Sequence, residues 1–216
     1  MQKFTKITSV AAALREAHVD TDVIFPARFL LLLDKAGLGK HLFHERRQGP
    51  DGIKTDFVLN SPPFDKAEIL VAGANFGSGS SREQAVWALT DFGIRCVIAP
   101  SFGEIFQSNC FKNGALPLVI QGETHERIMR AAEGGNPLTV DLEAQTVELP
   151  DGETIGFEID PYRRHTLMLG LDEIGSILAD DADDIATFEA RHRSSQPWLF
   201  LDDGRLERLF ADTRSS

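Results

Sequence analysis

The chain has 216 residues, of which 42% are hydrophobic and 25% charged, and a net charge of −11. That length supports one well-buried core. The acidic balance argues against nucleic acid and anionic membrane as general partners, because both are met by basic surface; an anionic substrate must then be captured by locally clustered arginines. Only two cysteines occur, Cys96 and Cys110, the start lacks a secretory apolar region, and runs such as VAAAL and FLLLL are too short to span a bilayer. The expectation is a reduced, cytoplasmic compartment. Two cysteines cannot hold a four-iron cluster or a structural zinc without outside ligands, so no metal is expected on this chain.

Residues 3–10 suggest a short strand. DTDVIFPARFLLLLDKAG then reads as a turn entering a helix, with Pro26 in its first turn and Gly37 as its stop. HLFHERRQGPDGIKTDFVLNSPPF carries loop punctuation. AEILVAGANF is a strand whose continuous apolar run implies burial on both faces. SSREQAVWALTDFG follows as a helix, capped by Ser80 or Ser81 and ended by Gly93. IRCVIAP, SFGEIFQSNCFKNG and LPLVI continue as strand, helix and strand, which makes a βαβ pattern, and THERIMRAAEGG is a further helix. PLTVDLEAQTVELPDGETIGFEID alternates apolar and polar residues around Asp151 and Gly152, as antiparallel strands do. From Pro161 the chain reads as helical and acidic. The predicted organisation is one α/β domain over residues 1–193, with a mixed sheet and flanking helices, and a C-terminal tail over 194–216.

The chemistry concentrates in GANFGSGSSREQA, residues 73–85. The third glycine of a dinucleotide fingerprint is missing, no Gly-Lys-Ser/Thr of a P-loop is present, and no serine has the glycine spacing of a hydrolase elbow. What remains is a strand ending in a glycine-rich turn before a helix N-terminus, where backbone amides and the dipole favour negative charge. Arg82 adds a planar fork that matches a carboxylate, and Ser80 and Ser81 add hydroxyls. The combination suits a small carboxylate substrate; a plain cap and tight turn uses the same glycines and serines. A cation at a helix start opposes the dipole, so Arg82 requires an anion nearby.

NFGSGSSREQAVWALTDFGIRCVIAPSFGEIFQSNCFKNGALPL resembles the swivelling-domain segment of the aconitase superfamily. HVDTDVIFPARFL and DLEAQTVELPDGETIGFEIDPYRRH extend the likeness over about residues 3–189, and it is strongest to the small subunits of bacterial 3-isopropylmalate dehydratases. The resemblance implies a β/β/α swivelling fold and a heterodimer with a larger subunit that carries a [4Fe-4S] cluster. The reaction it implies moves a hydroxyl between adjacent carbons of a small dicarboxylate through an alkene diacid. By motif position it makes Ser80 the catalytic base, places Ser81 and Arg82 on the substrate carboxylate, and adds Thr21 and Asp22 as groups that orient the site. The segment after Pro26, where relatives that bind a third carboxylate tend to carry an arginine, becomes the specificity element. Phe29, Leu30, Leu31 and Leu32 are apolar there, and Leu31 is the substrate-binding candidate; a helix-core stripe is the alternative. Gln84, Ser78 and Leu169 depart from the common pattern of bacterial members. They leave open a paralogue for another 2-alkylmalate, and a non-catalytic carboxylate-binding module is the rival from another class.

Other signals carry less. His41, His44 and Glu45 do not have the spacing of a zinc motif. ADDADD reads as a solvated helix start. Arg163, Arg164 and His165 fit either a ligand or a salt-bridged surface, and Cys96 and Cys110 read as inert interior residues.

Overall fold

The computed structural model describes residues 1–32, 34–79, 82–200 and 204, apart from the side chain of Glu173. Two compact units divide the chain, Met1–Asp172 and Glu173–Ser216. In the first, β1 (Lys6–Leu14) is followed by the short helices α1 (Thr21–Ile24) and α2 (His44–Arg47). Strand and helix then alternate through β2 (Ile69–Ala72), α3 (Glu83–Phe92), β3 (Cys96–Ala99), α4 (Glu104–Lys112), β4 (Leu116–Val119) and α5 (Gly122–Glu133). Three short strands follow, β5 (Pro137–Asp141), β6 (Thr146–Glu148) and β7 (Thr154–Gly156), and then α6 (Pro161–Leu169). The second unit holds α7 (Glu173–Asp180) and α8 (Ala182–Ser195), the latter with Asp183 and Asp184 in its first turn. No helix of the described residues is long and apolar enough to cross a membrane.

The seven strands form one mixed sheet in the order β4-β3-β2-β1-β5-β6-β7, the α/β arrangement expected. β1 serves both halves: Lys6 to Val10 pair antiparallel with β5, and Ala11 to Leu14 pair parallel with β2. Successive side chains of a strand point to opposite faces. Ala12, Leu70, Ala72 and Val97 accordingly join Val86, Leu89 and Phe106 of α3 and α4 on one face. Ala11, Ile69, Val71 and Ile98 join Ile128 and Met129 of α5 on the other. With helices on both faces, every residue of β2 and β3 is buried. β6 and β7, by contrast, each bury only their central residue, Val147 and Ile155. Between them Asp151 Oδ1 accepts the Glu153 amide at 3.0 Å, and Gly152 takes φ +86°, the turn its sequence predicts.

One expected element does not form. The chain does not run helically from Pro26 to Gly37. α1 lies before the proline and ends at Phe25, which is extended at φ −143°, ψ 100°. Steric conflict with a following proline ring disfavours the helical region there. Pro26 is itself extended, and among the described residues up to Gly37 a single 3-10 turn, Ala27–Phe29, follows. The leucines beyond it make no continuous core stripe: Leu30 packs half-buried against the core, but Leu31 is 89% exposed and Leu32 is exposed too. The helix expected after the glycine turn also starts later than predicted: α3 begins at Glu83 with Arg82 at its N-cap, rather than a serine.

Candidate active site

The C-terminal ends of parallel strands are where open α/β sheets place their ligands. Here the connections leaving β1, β2 and β3 are joined to one another by backbone hydrogen bonds. Gly77 N–H donates to Val19 O at 2.7 Å, and Thr21 N–H to Ser78 O at 3.0 Å. On the other side Phe76 N–H donates to Ser101 O at 3.0 Å, and Gly103 N–H to Phe76 O at 2.9 Å. This close approach explains two glycines. Gly77 has φ +71°, and a Cβ there would lie 2.2 Å from the Phe106 ring; a Cβ on Gly103 would lie 2.4 Å from Gly77 O. Neither contact is tolerable for an L side chain.

The DTD motif enters from the other connection. Asp20 Oδ1 accepts the Val23 amide at 2.8 Å and so caps α1. That cap fixes Thr21, which is buried, and Asp22, which is half exposed. Asp22 Oδ1 pairs with Arg82 Nη1, although the two residues are 60 positions apart in sequence. This carboxylate is the anion that a cation at a helix start requires. A pair with one partner half exposed contributes little to stability, so an incoming carboxylate can compete with Asp22 for the guanidinium at small cost. Ser80 and Ser81 lie outside the described residues, between Gly79 at φ +87° and the extended Arg82. Leu31, in the segment after α1, has the most exposed large apolar side chain among the described residues. The structure therefore joins Thr21, Asp22 and Arg82 in one place and sets Leu31 on the segment that leaves it.

Several residues that support this place were missed. Asn75 takes φ +56°, donates its backbone N–H to Ser101 Oγ at 2.8 Å and contacts His18 Nδ1 through Nδ2 at 3.0 Å. Buried His125 holds the Ala72 carbonyl at the end of β2 through Nε2, at 2.9 Å. Asparagine's tolerance of the left-handed region was the one available signal for Asn75; Ser101, His18 and His125 sit in no motif.

The open alternatives resolve mostly toward structure. Arg164 donates to Leu142 O at 3.2 Å and Glu143 O at 2.7 Å, so it braces the turn after β5. Arg163 lies over the Phe111 ring at 5.2 Å, beside a cleft of about 430 Å³ that Glu104, Glu158 and Asp160 also line. Cys96 and Cys110 are fully buried, and burial pushes both thiols up, which keeps them protonated. Two buried thiols on separate elements do not fit a four-iron cluster, and no group of three or more metal-ligating side chains occurs among the described residues.

Comparisons with known proteins cover most of the chain. The aconitase C-terminal domain model matches residues 1–123, and a LeuD_N model matches residues 126–161. The model for the C-terminal domain of 3-isopropylmalate dehydratase small subunits matches residues 180–202. A 3-isopropylmalate dehydratase small subunit from Parvibaculum lavamentivorans is 53% identical over 202 residues, covering 92% of this chain and 100% of that one. One from Gluconacetobacter diazotrophicus is 56% identical over 201 residues, covering 92% and 97%. Among solved structures, 3-isopropylmalate dehydratase (leuD) from Methanocaldococcus jannaschii superposes with a TM-score of 0.62 at 28% identity, covering 84% of this chain and 99% of that one.

Proposed function

The chain belongs to the 3-isopropylmalate dehydratase small-subunit family, and we propose that it is the swivelling half of a heteromeric hydro-lyase in leucine biosynthesis. The enzyme interconverts 2-isopropylmalate and 3-isopropylmalate through 2-isopropylmaleate. A proton leaves one carbon as hydroxide leaves its neighbour, and water then adds back in the opposite sense. In this reading Ser80 takes the carbon-bound proton and returns it. Arg82 and Ser81 bind a substrate carboxylate, Thr21 and Asp22 orient the site, and Leu31 meets the alkyl group. A serine hydroxyl is a weak acid, so its alkoxide needs a preorganised positive environment, and a guanidinium two positions away and the start of α3 supply one. The [4Fe-4S] cluster belongs to the large subunit, since the cysteines of this chain do not fit it.

One observation carries the reading: Arg82 already grips a carboxylate, that of Asp22, and it comes from the other motif of the likeness. Co-production with a large subunit, with the heterodimer and cluster verified anaerobically, tests it. Turnover of 2-isopropylmalate with transient alkene absorbance is expected. Turnover of a different 2-alkylmalate alone assigns the chain to a paralogue, a reading that Gln84, Ser78 and Leu169 leave open. Carboxylate binding without any turnover makes it a binding module.

A further inference from the structure

Phe29, the last residue of the 3-10 turn after Pro26, is enclosed by rings. It stacks on His41 with centroids 3.9 Å apart and planes at 21°, and meets His44 edge-on at 4.9 Å. Phe25 approaches at 6.0 Å, and the Arg28 guanidinium, itself paired with Glu45, lies 4.8 Å from the Phe29 centroid. The surface carrying the two imidazoles is firmly held. Gly39, at the start of the turn Gly39–His41, donates its amide to Asp91 Oδ2 at 2.7 Å and receives Arg47 Nη1 on its carbonyl at 3.1 Å. Just before His44, the Phe43 amide donates to Ile24 O at 2.8 Å, which ties the same surface to α1.

The imidazoles are not turned toward Phe29 by hydrogen bonds of their buried nitrogens. Nδ1 of His41 and Nδ1 of His44 are both buried without a hydrogen-bond partner, an arrangement proteins seldom tolerate without a use. Ring packing is what their geometry serves. Beyond Phe29, Leu30 is half-buried and packs against the same core, whereas Leu31 and Leu32 are exposed. Leu30 N–H donates to Ala27 O at 3.1 Å and Leu32 N–H to Phe29 O at 3.0 Å, both within the segment itself. The exposed pair Leu31 and Leu32 therefore takes its place from Phe29 and Leu30, and Leu32 is bonded to Phe29 directly.

We propose that His41 and His44 are positioning residues for substrate selection: they clamp the Phe29 ring and through it help set the exposed apolar tip, Leu31 and Leu32. The selective role rests on the proposed function, in which Leu31 meets the alkyl group; the clamp itself does not. In the full chain, His41→Ala and Phe29→Ala should speed amide hydrogen exchange at Leu30 and Leu32 by about tenfold while Phe25 keeps its protection. His41→Phe, which keeps a ring and discards the nitrogens, should restore protection. Unchanged exchange in both alanine variants, or His41→Phe exchanging as fast as His41→Ala, overturns the clamp.

In the reconstituted enzyme, His41→Ala should lower the kcat/KM ratio of the isopropyl over the methyl 2-alkylmalate by about fivefold through KM, with kcat for the smaller substrate within about twofold. His41→Phe should recover the ratio. An unchanged ratio despite faster exchange overturns the selective role. A wild-type complex without turnover refutes the proposed function instead, and the exchange experiment still decides the clamp.

Discussion

The glycine turn after β2 and the apolar tip after α1, which the proposed function assigns to one site, are held in place by different forces. Residues 73–79 are tied by backbone hydrogen bonds to the connections after β1 and β3, and Gly77 leaves no room for a side chain. Residues 30–32 show no backbone bond to another segment among the described residues; Leu30 packs on the core, and the exposed Leu31 and Leu32 rely on it and on the Phe29 ring packed between others. Backbone bonds are indifferent to side-chain identity, so they suit a part whose geometry must stay constant, such as a carboxylate grip. Side-chain packing changes with each substitution, so it suits a part that distinguishes one alkyl group from another.

Four measurements can break or sharpen that contrast. Ser80→Ala should reduce turnover of the reconstituted enzyme by about 10²–10⁴-fold, with substrate binding by calorimetry nearly unchanged; surviving activity moves the base elsewhere. Gly77→Ala should cost about 1–3 kcal/mol in denaturant unfolding, because the new methyl meets the Phe106 ring and the residue stays at positive φ. Wild-type stability in that variant would show the turn to be adaptable after all. Leu31→Ala should leave unfolding unchanged, as the side chain is 89% exposed. Its effect should appear in alkyl preference, at roughly threefold to tenfold against the isopropyl substrate.

The smallest effect concerns pH. Burial holds His41 below its ordinary value, helped by Lys40, His44 and Arg28, the last of which is paired with Glu45 of α2. The unfolded chain then binds the proton more readily than the folded one. Stability should fall as pH drops below about 6.5 toward the lowered value, and be unaffected by this group above it. Comparing His41→Phe with wild type across that window isolates the contribution; equal pH slopes would remove His41 as its source.

Much of this architecture is legible in the residues. The continuous apolar runs of β2 and β3 announce burial on both faces, the alternation around Asp151 announces the antiparallel strands, and the glycine turn before Arg82 announces an anion-facing helix start. The helix predicted from Pro26 was the failure. A leucine run after a proline looks helical by composition, but Phe25 must be extended before Pro26 and no core lies opposite Leu31 to reward a stripe. The reach of Asn75 to His18 and of His125 to Ala72 was not legible, since each joins residues distant in sequence without leaving a local pattern.

By itself, then, the sequence determined the α/β class and the family, and it supplied the candidates proposed to face a substrate carboxylate. These depend on local periodicity, turn chemistry and residue type, which are properties of short stretches. Tertiary structure alone decided that Arg82 is answered by Asp22, that Gly77 must pass beneath Phe106, and that Phe29 packs between two histidines. Each of these is a contact between segments that only the closed sheet brings together.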